Sequence, residues 1–343
     1  MKTPNVSKLL NVPNLPLYIQ KVEQALQATL TDASPSMRAP LKRVIHARSK
    51  RLRPTLLIIT AASQGAKIDI SVINCAAALE FVHIGSLVHD DIMDDALQRW
   101  GVATVNSKEG VNTAILIGDY LFAKAYQYAA SVSQSAASII ASSLSAICDG
   151  QSSEMAEQYN INRSPSDLFN AHLGKTASLF TVACELGALC AGINQEEVET
   201  LRTYGQNLGL SFQLVDDLLD LLSSIDLLGK PVGNDVREGI YSLPILLSLR
   251  GPSASQVKKL LKLNDNIDMR ALVELLNHDG SIKATVRQIQ NYNQRAVGVL
   301  SKFEATEGMQ ILKKLPNLFL RQAVTEYVNK SYRDTILTYV DPV

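Results

Sequence analysis

Two long stretches of the chain are apolar on almost every face of a helix. They run from about Asp69 to Gln98 and from about Gln195 to Ser224, and neither contains a proline. Helices that are apolar all round are buried among other helices, so the pattern predicts two long central helices. Alternation of period two, which is typical of a half-buried strand, is hard to find. We therefore predict an all-α fold.

The chain shows no internal repeat and no linker-like stretch between its apolar segments. Short breaks containing proline or glycine separate the segments, as expected for turns between helices. We therefore expect residues 1–343 to form a single domain.

Charge and hydropathy exclude two classes of partner. The 343 residues carry 33 basic and 33 acidic side chains and no block of like charges, whereas nucleic-acid binding usually needs a broad positive surface. The longest apolar run near the start of the body, Leu56 to Ser63, is far shorter than the ~20 residues of a membrane helix. The first thirty residues lack the pattern of a secretory signal. We predict a cytoplasmic protein with no transmembrane segment and no nucleic-acid partner.

Each predicted central helix carries a cluster of carboxylates. Asp90 and Asp94 are four residues apart, as are Asp216 and Asp220, so each pair lies on one face of its helix. Burying such carboxylates among leucine and valine without a counter-ion costs several kcal/mol. A solvated polar face would explain one cluster, but two copies in apolar surroundings favour a bound divalent cation. Mg²⁺ suits the pattern because it takes one or two carboxylates per ion and completes its shell with water and phosphate.

The two DDxxD motifs resemble the aspartate-rich motifs of trans-isoprenyl diphosphate synthases. Further segments match that family in the same order: Ser49 to Pro54, Leu79 to His83, Gly118 to Tyr120, Gly174 to Ala177, Phe212 to Gln213 and Leu228 to Pro231. The resemblance implies the isoprenoid synthase fold, a large bundle of roughly a dozen helices around a central cavity. It also implies the condensation of isopentenyl diphosphate with an allylic diphosphate, which yields a longer all-trans polyprenyl diphosphate and pyrophosphate.

The resemblance assigns roles to individual residues. Three Mg²⁺ ions are implied, with Mn²⁺ as a substitute. The implied metal ligands are Asp90, Asp94, Asp216 and Asp220. The implied cationic contacts of the allylic diphosphate are Arg99, Lys175 and Lys230, and those of isopentenyl diphosphate are Lys50, Arg53 and His83. Thr176 and Gln213 match positions whose dipoles face the carbocation. A homodimer is expected from the family.

These residue types suit the chemistry. Ionising an allylic carbon–oxygen bond releases pyrophosphate, and metals with lysine and arginine stabilise its charge. No side-chain general base is evident, and in the family the released pyrophosphate is proposed to take the final proton. The structural alternatives are that Lys50 and Arg53 are surface charges before a proline that begins a helix, and that His83 is a core histidine. We interpret His89, beside the first motif, as structural.

Residues before Asp90 bear on product length. Gly85 and Ser86 lie one turn below it on the same face of the helix, where a bulky residue blocks the tail in farnesyl-type enzymes. Because Gly85 and Ser86 are small, we expect the bottom of the tail pocket to lie deeper, around Val82, Leu79 or Ala78. We therefore predict a medium- or long-chain product of the kind used for quinone side chains. The alternative is that Gly85 and Ser86 only permit close helix packing.

Two positions depart from the family pattern. Trp100 stands where a second arginine commonly helps to hold isopentenyl diphosphate, and Ile240 stands where short-chain members often carry lysine. Because of Trp100, a second possible function is that of a weakly active or regulatory subunit of a heteromeric synthase. A terpene cyclase is a further alternative, but it has no need for the second diphosphate site of Lys50, Arg53 and His83.

Trp100 generates a testable prediction, because a neutral indole cannot replace a bidentate phosphate donor. Trp100→Arg is expected to lower the Michaelis constant for isopentenyl diphosphate about ten-fold, since a hydrogen bond to a charged group contributes ~1.5–3 kcal/mol. Steady-state kinetics with the allylic substrate saturating measures this. Trp100→Leu, which adds no donor, is the control, and an unchanged constant for Trp100→Arg would refute the interpretation.

Overall fold

The computed structural model describes residues 14–47, 50–99, 101–224, 232–263 and 266–338. The elements of the first part are α1 (Leu15–Asp32), α2 (Pro35–Ile45), α3 (Leu52–Ser63), α4 (Ile70–Met93), β1 (Gln98–Arg99), β2 (Val102–Ala103), α5 (Val105–Glu109) and α6 (Val111–Ala130). β1 and β2 form a short antiparallel hairpin in which Arg99 pairs with Val102.

The second part of the chain is helical. Its elements are α7 (Gln134–Ala156), α8 (Pro165–His172), a π-helical turn (Leu173–Ala177), α9 (Ser178–Ala191), α10 (Gln195–Leu222), α11 (Asn234–Arg237), α12 (Leu243–Ser248), α13 (Ala254–Leu261), α14 (Met269–His278), α15 (Ser281–Val299), a 3₁₀ turn (Leu300–Lys302), α16 (Glu307–Tyr327) and α17 (Lys330–Leu337). The prediction of an all-α fold is confirmed.

The two predicted long helices correspond to α4 and α10. Asp69 caps α4 by accepting hydrogen bonds from the backbone N–H groups of Ser71 and Val72, as short polar side chains do at helix starts. The predicted end at Gln98 is wrong, because α4 stops at Met93. Asp95 adopts a left-handed φ of 47°, and the chain turns there into the hairpin.

Helices α4 and α10 occupy central positions. α4 packs against α1, α3, α6 and α9, and α10 packs against α9, α15 and α16. Since α9 contacts both, it fixes the spacing between the helices that carry the two acidic motifs. The prediction that apolar surfaces all round mark central helices is confirmed.

Two helical segments are long and apolar enough to cross a membrane by length and composition. They span Ile70–Met93 and Pro165–Ala191, and 67% and 56% of their most apolar windows are buried within the protein. The prediction of no transmembrane segment weighed only the shorter run from Leu56, although the first of these helices lies within the predicted central helix from Asp69 to Gln98. Their burial against other helices accounts for their apolar character, as in core helices of water-soluble proteins.

Glycines allow the central helices to approach closely. A β-carbon built at Gly205 of α10 would lie 2.5 Å from the carbonyl oxygen of Phe180 in α9 and 3.0 Å from Sγ of Cys184. The first neighbour is backbone and cannot rotate away. The α9–α10 contact therefore depends on the missing side chain of Gly205.

Gly205→Ala is expected to lower the free energy of unfolding by about 1–3 kcal/mol, the usual cost of overpacking. Gly298→Ala is the matched control, since Gly298 lies in α15 with nothing within 4 Å of its added β-carbon and should gain about 0.5–1 kcal/mol. Urea unfolding with an unchanged m-value measures both. Equal effects at the two positions would contradict the close approach.

Candidate active site

A cavity of about 590 Å³ lies between the C-terminal ends of α4 and α10. Asp90 and Asp94 line it from the end of α4, and Asp216 lines it from α10. Asp94 is the C-cap residue, but its backbone N–H still donates to the carbonyl of Asp90 at 2.9 Å. Both members of the first pair therefore border one space with a residue of the second motif.

Negative charge dominates the lining of this cavity, which we call the carboxylate cavity. Its eight acidic side chains are Asp90, Asp91, Asp94, Glu154, Asp216, Asp217, Asp235 and Glu238. Among the described residues, its lysine and arginine side chains are Arg99 and Lys175. The C-terminal end of a helix carries a partial negative charge, so both motifs stand at the electrostatically unfavourable end of their helices.

The pKa values of the first motif reflect this crowding. Burial, reinforced by the nearby charge of Asp94, raises the pKa of Asp90 to about 6. Withdrawal from water also raises the pKa values of Asp91 and Asp94 above their usual range. Carboxylates that resist ionisation in this way are stabilised by a cation placed among them.

Both basic side chains of the cavity contact carboxylates. Nε of Arg99 donates to Oδ1 of Asp91 at 2.7 Å, and the ammonium group of Lys175 pairs with the Glu154 carboxylate. Burial alone would lower the pKa of Lys175, but Glu154 and Asp90 raise it above its ordinary value. Lys175 therefore carries a full positive charge into the cavity.

A π-helical turn (Leu173–Ala177) positions Lys175 and Thr176, as π-turns often do at functional sites. Glycines bring this turn against α7: a β-carbon built at Gly174 would lie 2.5 Å from the carbonyl oxygen of Ala146, and one at Gly150 would collide with the backbone nitrogen of Lys175. Because Gly150 is one turn before Glu154 on α7, this approach brings Glu154 to Lys175.

A hydrogen-bonded chain links the π-turn to the second motif. Oγ1 of Thr176 donates to Oε1 of Gln213 at 2.6 Å, and Nε2 of Gln213 donates to Oδ1 of Asp217 at 2.9 Å. Oδ2 of Asp217 lies 3.5 Å from Nε2 of His172. Burial raises the pKa of Asp217 well above its usual range and lowers that of His172 to about 3, so the imidazole is neutral.

Two basic residues of the predicted second diphosphate site lie in contact. Nη1 of Arg53 donates to Nε2 of His83 at 3.1 Å, and the guanidinium of Arg53 stacks over the ring of Phe180 at 5.1 Å. Burial lowers the pKa of Arg53 to about 10, which leaves it charged at neutral pH. Burial and then Arg53 lower the pKa of His83 well below its normal value.

The Arg53–His83 pair lies outside the lining of the carboxylate cavity. His83 and Arg99 border a smaller pocket of about 40 Å³, so Arg99 lines both spaces. Lys50 lies with its ammonium group 5.9 Å from the ring centroid of Tyr327 in α16, and burial lowers its pKa.

The remaining predicted residues are placed as follows. Asp220 is 4% exposed and does not line the carboxylate cavity; its Oδ2 accepts from the backbone N–H of Asp235 at 3.3 Å. Ile240 lines the cavity. Lys230 and Trp100 lie outside the described residues.

An apolar groove of about 490 Å³, which we call the tail groove, continues from Asp90 between α4, α6 and α7. Ser86 lines it, as predicted, but Gly85 and Val82 do not. A β-carbon built at Gly85 would lie 2.7 Å from Cε1 of Phe122, and Val82 is fully buried. α4 offers only small side chains at this level, but α6 places the Phe122 ring there.

Sequence reasoning missed Glu154, His172 and Phe122. None belongs to a recognisable motif, and each reaches the site from a helix other than α4 and α10. The sequence around Glu154 shows only the pattern of an ordinary helix. Glu154 reaches Lys175 because α7 packs closely against the π-turn at Gly150.

The donor set suits hard cations bound together with phosphate. Within the described ranges, no three His, Cys, Asp or Glu side chains lie close enough to hold a metal ion by themselves. Mg²⁺ does not require such a cage, because it keeps several waters and binds through one or two carboxylates plus substrate phosphate. Carboxylates with raised pKa values around a roomy cavity fit that mode.

Known proteins resemble this chain over most of its length. The family model described as polyprenyl synthetase matches residues 34–277. The nonaprenyl diphosphate synthase of Mycobacterium tuberculosis is 33% identical, covering 91% of this chain and 90% of that protein. Component 2 of heptaprenyl diphosphate synthase from Geobacillus stearothermophilus is 30% identical, covering 86% and 92%. A crystal structure of decaprenyl diphosphate synthase from Rhodobacter capsulatus aligns with a TM-score of 0.84 at 27% identity, covering 93% and 99%.

The raised pKa of Asp90 predicts how stability depends on pH without metal. The folded state binds this proton more tightly than the unfolded state, so ionised Asp90 destabilises the fold above pH 6 and this cost fades as the pH falls toward 4. In EDTA, Asp90→Asn should stabilise the protein by roughly 2–3 kcal/mol at pH 7.5 and by about 1 kcal/mol at pH 4.5. Urea unfolding at both values measures the difference, and a pH-independent gain would contradict the assignment.

Proposed function

The chain belongs to the polyprenyl synthetase family, and we propose roles for its individual side chains in the reaction of that family. It is a trans-prenyltransferase that condenses isopentenyl diphosphate with an allylic diphosphate and releases pyrophosphate. The observation that carries the proposed roles is the carboxylate cavity, where residues of both aspartate motifs and Lys175 line one space.

The allylic diphosphate binds in the carboxylate cavity. Asp90, Asp94 and Asp216 would hold the divalent ions, and Asp220, which lies outside the cavity lining, would contribute directly or through water. The family uses a divalent metal, and we propose three Mg²⁺ ions, replaceable by Mn²⁺, which would supply positive charge against the charge that develops on the leaving pyrophosphate. Lys175 and Arg99 add positive charge around the same phosphates, and the family resemblance assigns Lys230 the same role.

Ionisation breaks the allylic carbon–oxygen bond, and the electron pair leaves with pyrophosphate. The Gln213 amide is held between Asp217 and Thr176, so its carbonyl dipole is fixed on the side of the π-turn. A fixed dipole stabilises developing positive charge without forming a bond to it. Thr176 and Gln213 thus keep the carbocation available to the second substrate.

The diphosphate of isopentenyl diphosphate binds at Arg53, His83 and Lys50. Arg53 supplies a permanent charge, since its pKa of about 10 lies above neutral pH. Because His83 is neutral, its imidazole contributes a hydrogen bond rather than a second charge. The double bond attacks the cation and forms the new carbon–carbon bond. The released pyrophosphate then takes a proton from the condensation product. The loss of this proton restores an allylic double bond.

The product is a medium- or long-chain polyprenyl diphosphate, and we propose that it exceeds geranylgeranyl in length. Ser86 leaves room one turn below Asp90, and the tail groove continues beyond it to Leu144 and Ile147 of α7. The heptaprenyl, nonaprenyl and decaprenyl products in the names of similar proteins support this class.

We propose a cytoplasmic homodimer whose subunit is one domain spanning residues 1–343. Val111, Ile115 and Leu116 on α6 are 43–60% exposed, which suits a face covered by a second copy. The alternative is a heteromer, because one similar protein is named as component 2 of its synthase. Light scattering of the purified chain with and without substrates distinguishes the two.

Purified protein incubated with Mg²⁺, labelled isopentenyl diphosphate and allylic primers of several lengths should form polyprenyl diphosphates, identified by chain-length analysis. Asp90→Asn is expected to lower kcat/KM at least 10²-fold, a typical loss for one electrostatic contact to the transition state.

Asp95→Asn is the matched control. Asp95 is exposed and does not line the carboxylate cavity, and asparagine tolerates its left-handed backbone. Its activity should stay within about two-fold of the original chain. An Asp90→Asn protein that keeps full activity, or an original chain that is equally active in EDTA, would overturn the metal assignment.

A further inference from the structure

Arg51 stands between Lys50 and Arg53, two of the residues proposed to bind isopentenyl diphosphate, but its surroundings differ from theirs. It is 4% exposed, and its backbone is left-handed, with φ of 48° and ψ of 40°. Residues other than glycine rarely adopt this conformation, and it persists only where the surrounding structure holds it in place. The contacts of the Arg51 side chain therefore indicate what holds this segment.

The guanidinium of Arg51 ties three helices together. Nε donates to Oε1 of Glu23 in α1 at 2.6 Å, and Nη1 donates to Oε1 of Glu80 in α4 at 2.7 Å. Nη2 donates to the carbonyl oxygen of Ile45, the last residue of α2, at 2.7 Å. Burial alone would lower the pKa of Arg51, but Glu80 and Glu23 raise it above its ordinary value. Two carboxylates thus offset the charge of Arg51, which suits a structural contact better than phosphate binding.

One face of α4 holds both Arg51 and Arg53. Glu80 and His83 are three residues apart and therefore lie on the same side of that helix. The fully buried Glu80 pairs with Arg51, and His83 accepts from Nη1 of Arg53 at 3.1 Å. The carbonyl oxygen of Arg51 also accepts from the backbone N–H of Thr55 at 2.9 Å, which starts α3 with Arg53 in its first turn. Fixing Arg51 therefore fixes the position from which Arg53 reaches His83.

The turn at Arg51 also separates the two cations beside it. The ammonium group of Lys50 lies 5.9 Å from the ring centroid of Tyr327 in α16. The guanidinium of Arg53 lies instead over the ring of Phe180 in α9. A change in the backbone at Arg51 would therefore move both cations relative to each other.

We infer that Arg51 is a positioning residue for isopentenyl diphosphate, held by its ion pairs with Glu80 and Glu23. These pairs fix the left-handed turn that places Lys50 and Arg53 at the second diphosphate site. The inference rests on the proposed function of that site. Arg51 and Glu80 do not line the carboxylate cavity, where the allylic diphosphate binds. Loss of the ion pair should therefore weaken the binding of one substrate and spare the other.

Glu80→Gln keeps the shape of the side chain and removes its charge from Arg51. The test uses purified protein with Mg²⁺, isopentenyl diphosphate and farnesyl diphosphate as the allylic primer. The Michaelis constant for isopentenyl diphosphate is expected to rise about ten-fold, because small displacements of positioning groups are costly. The constant for the primer, measured with isopentenyl diphosphate saturating, should change less than about two-fold, because the carboxylate cavity keeps its residues.

A double variant separates positioning from stability. Removing one partner of a buried ion pair destabilises a protein, whereas replacing both partners by neutral residues restores stability in many cases. Glu80→Gln is therefore expected to lower the melting temperature, and Glu80→Gln combined with Arg51→Met should recover most of that loss. The Michaelis constant for isopentenyl diphosphate should stay raised in the double variant, because methionine cannot make the hydrogen bonds that fix the turn. A merely structural role predicts that this constant recovers together with the melting temperature.

Glu185→Gln is the matched control. Glu185 of α9 accepts from Nη1 of Arg202 in α10 at 2.9 Å, and neither residue lines the carboxylate cavity. Both Michaelis constants of this variant should stay within about two-fold of the original values, since the pair lies apart from both substrates. The inference is overturned by a folded Glu80→Gln or double variant with the original constant for isopentenyl diphosphate, or by an equal rise in both constants. Absence of any prenyl product from the original chain would instead overturn the proposed function.

Discussion

The concentration of carboxylates at the C-terminal ends of α4 and α10 is the constraint on which the rest of the site depends. These ends already carry partial negative charge, and eight acidic side chains border the space between them: Asp90, Asp91, Asp94, Glu154, Asp216, Asp217, Asp235 and Glu238. Such an arrangement is unfavourable for folding and favourable for holding cations with phosphate. The raised pKa of Asp90 reflects the cost of ionising a buried carboxyl group among other carboxylates.

Packing of the apolar helices opposes the repulsion between these carboxylates. α9 packs against both α4 and α10, and the absence of a side chain at Gly205 lets α9 and α10 approach closely. The acidic ends therefore cannot move apart to relieve their repulsion. The packing of the apolar core therefore holds these carboxylates close together before any cation or substrate binds.

The sequence predicted what periodicity and motif spacing encode. α4 and α10 were found because apolar residues surround them, and Asp90, Asp94 and Asp216 border one cavity, as the resemblance of the two motifs implied. The end of α4 was missed, because its stop depends on the left-handed backbone of Asp95 rather than on a proline or glycine. Phe122 and Glu154 were missed because each reaches the site where a glycine lets two helices pack closely. The sequence around a residue does not show which distant segment that residue contacts.

The π-turn between α8 and α9 has a consequence for how the chain tolerates insertions and deletions. An α-helix turns by about 100° per residue, and a π-turn accommodates one extra residue within a continuous helix. Removing one residue from Leu173–Ala177 would let the helix run through regularly, while Lys175 and Thr176 would rotate away from the cavity. A change in length that relaxes the local backbone would thus separate the ammonium group of Lys175 from the Glu154 carboxylate.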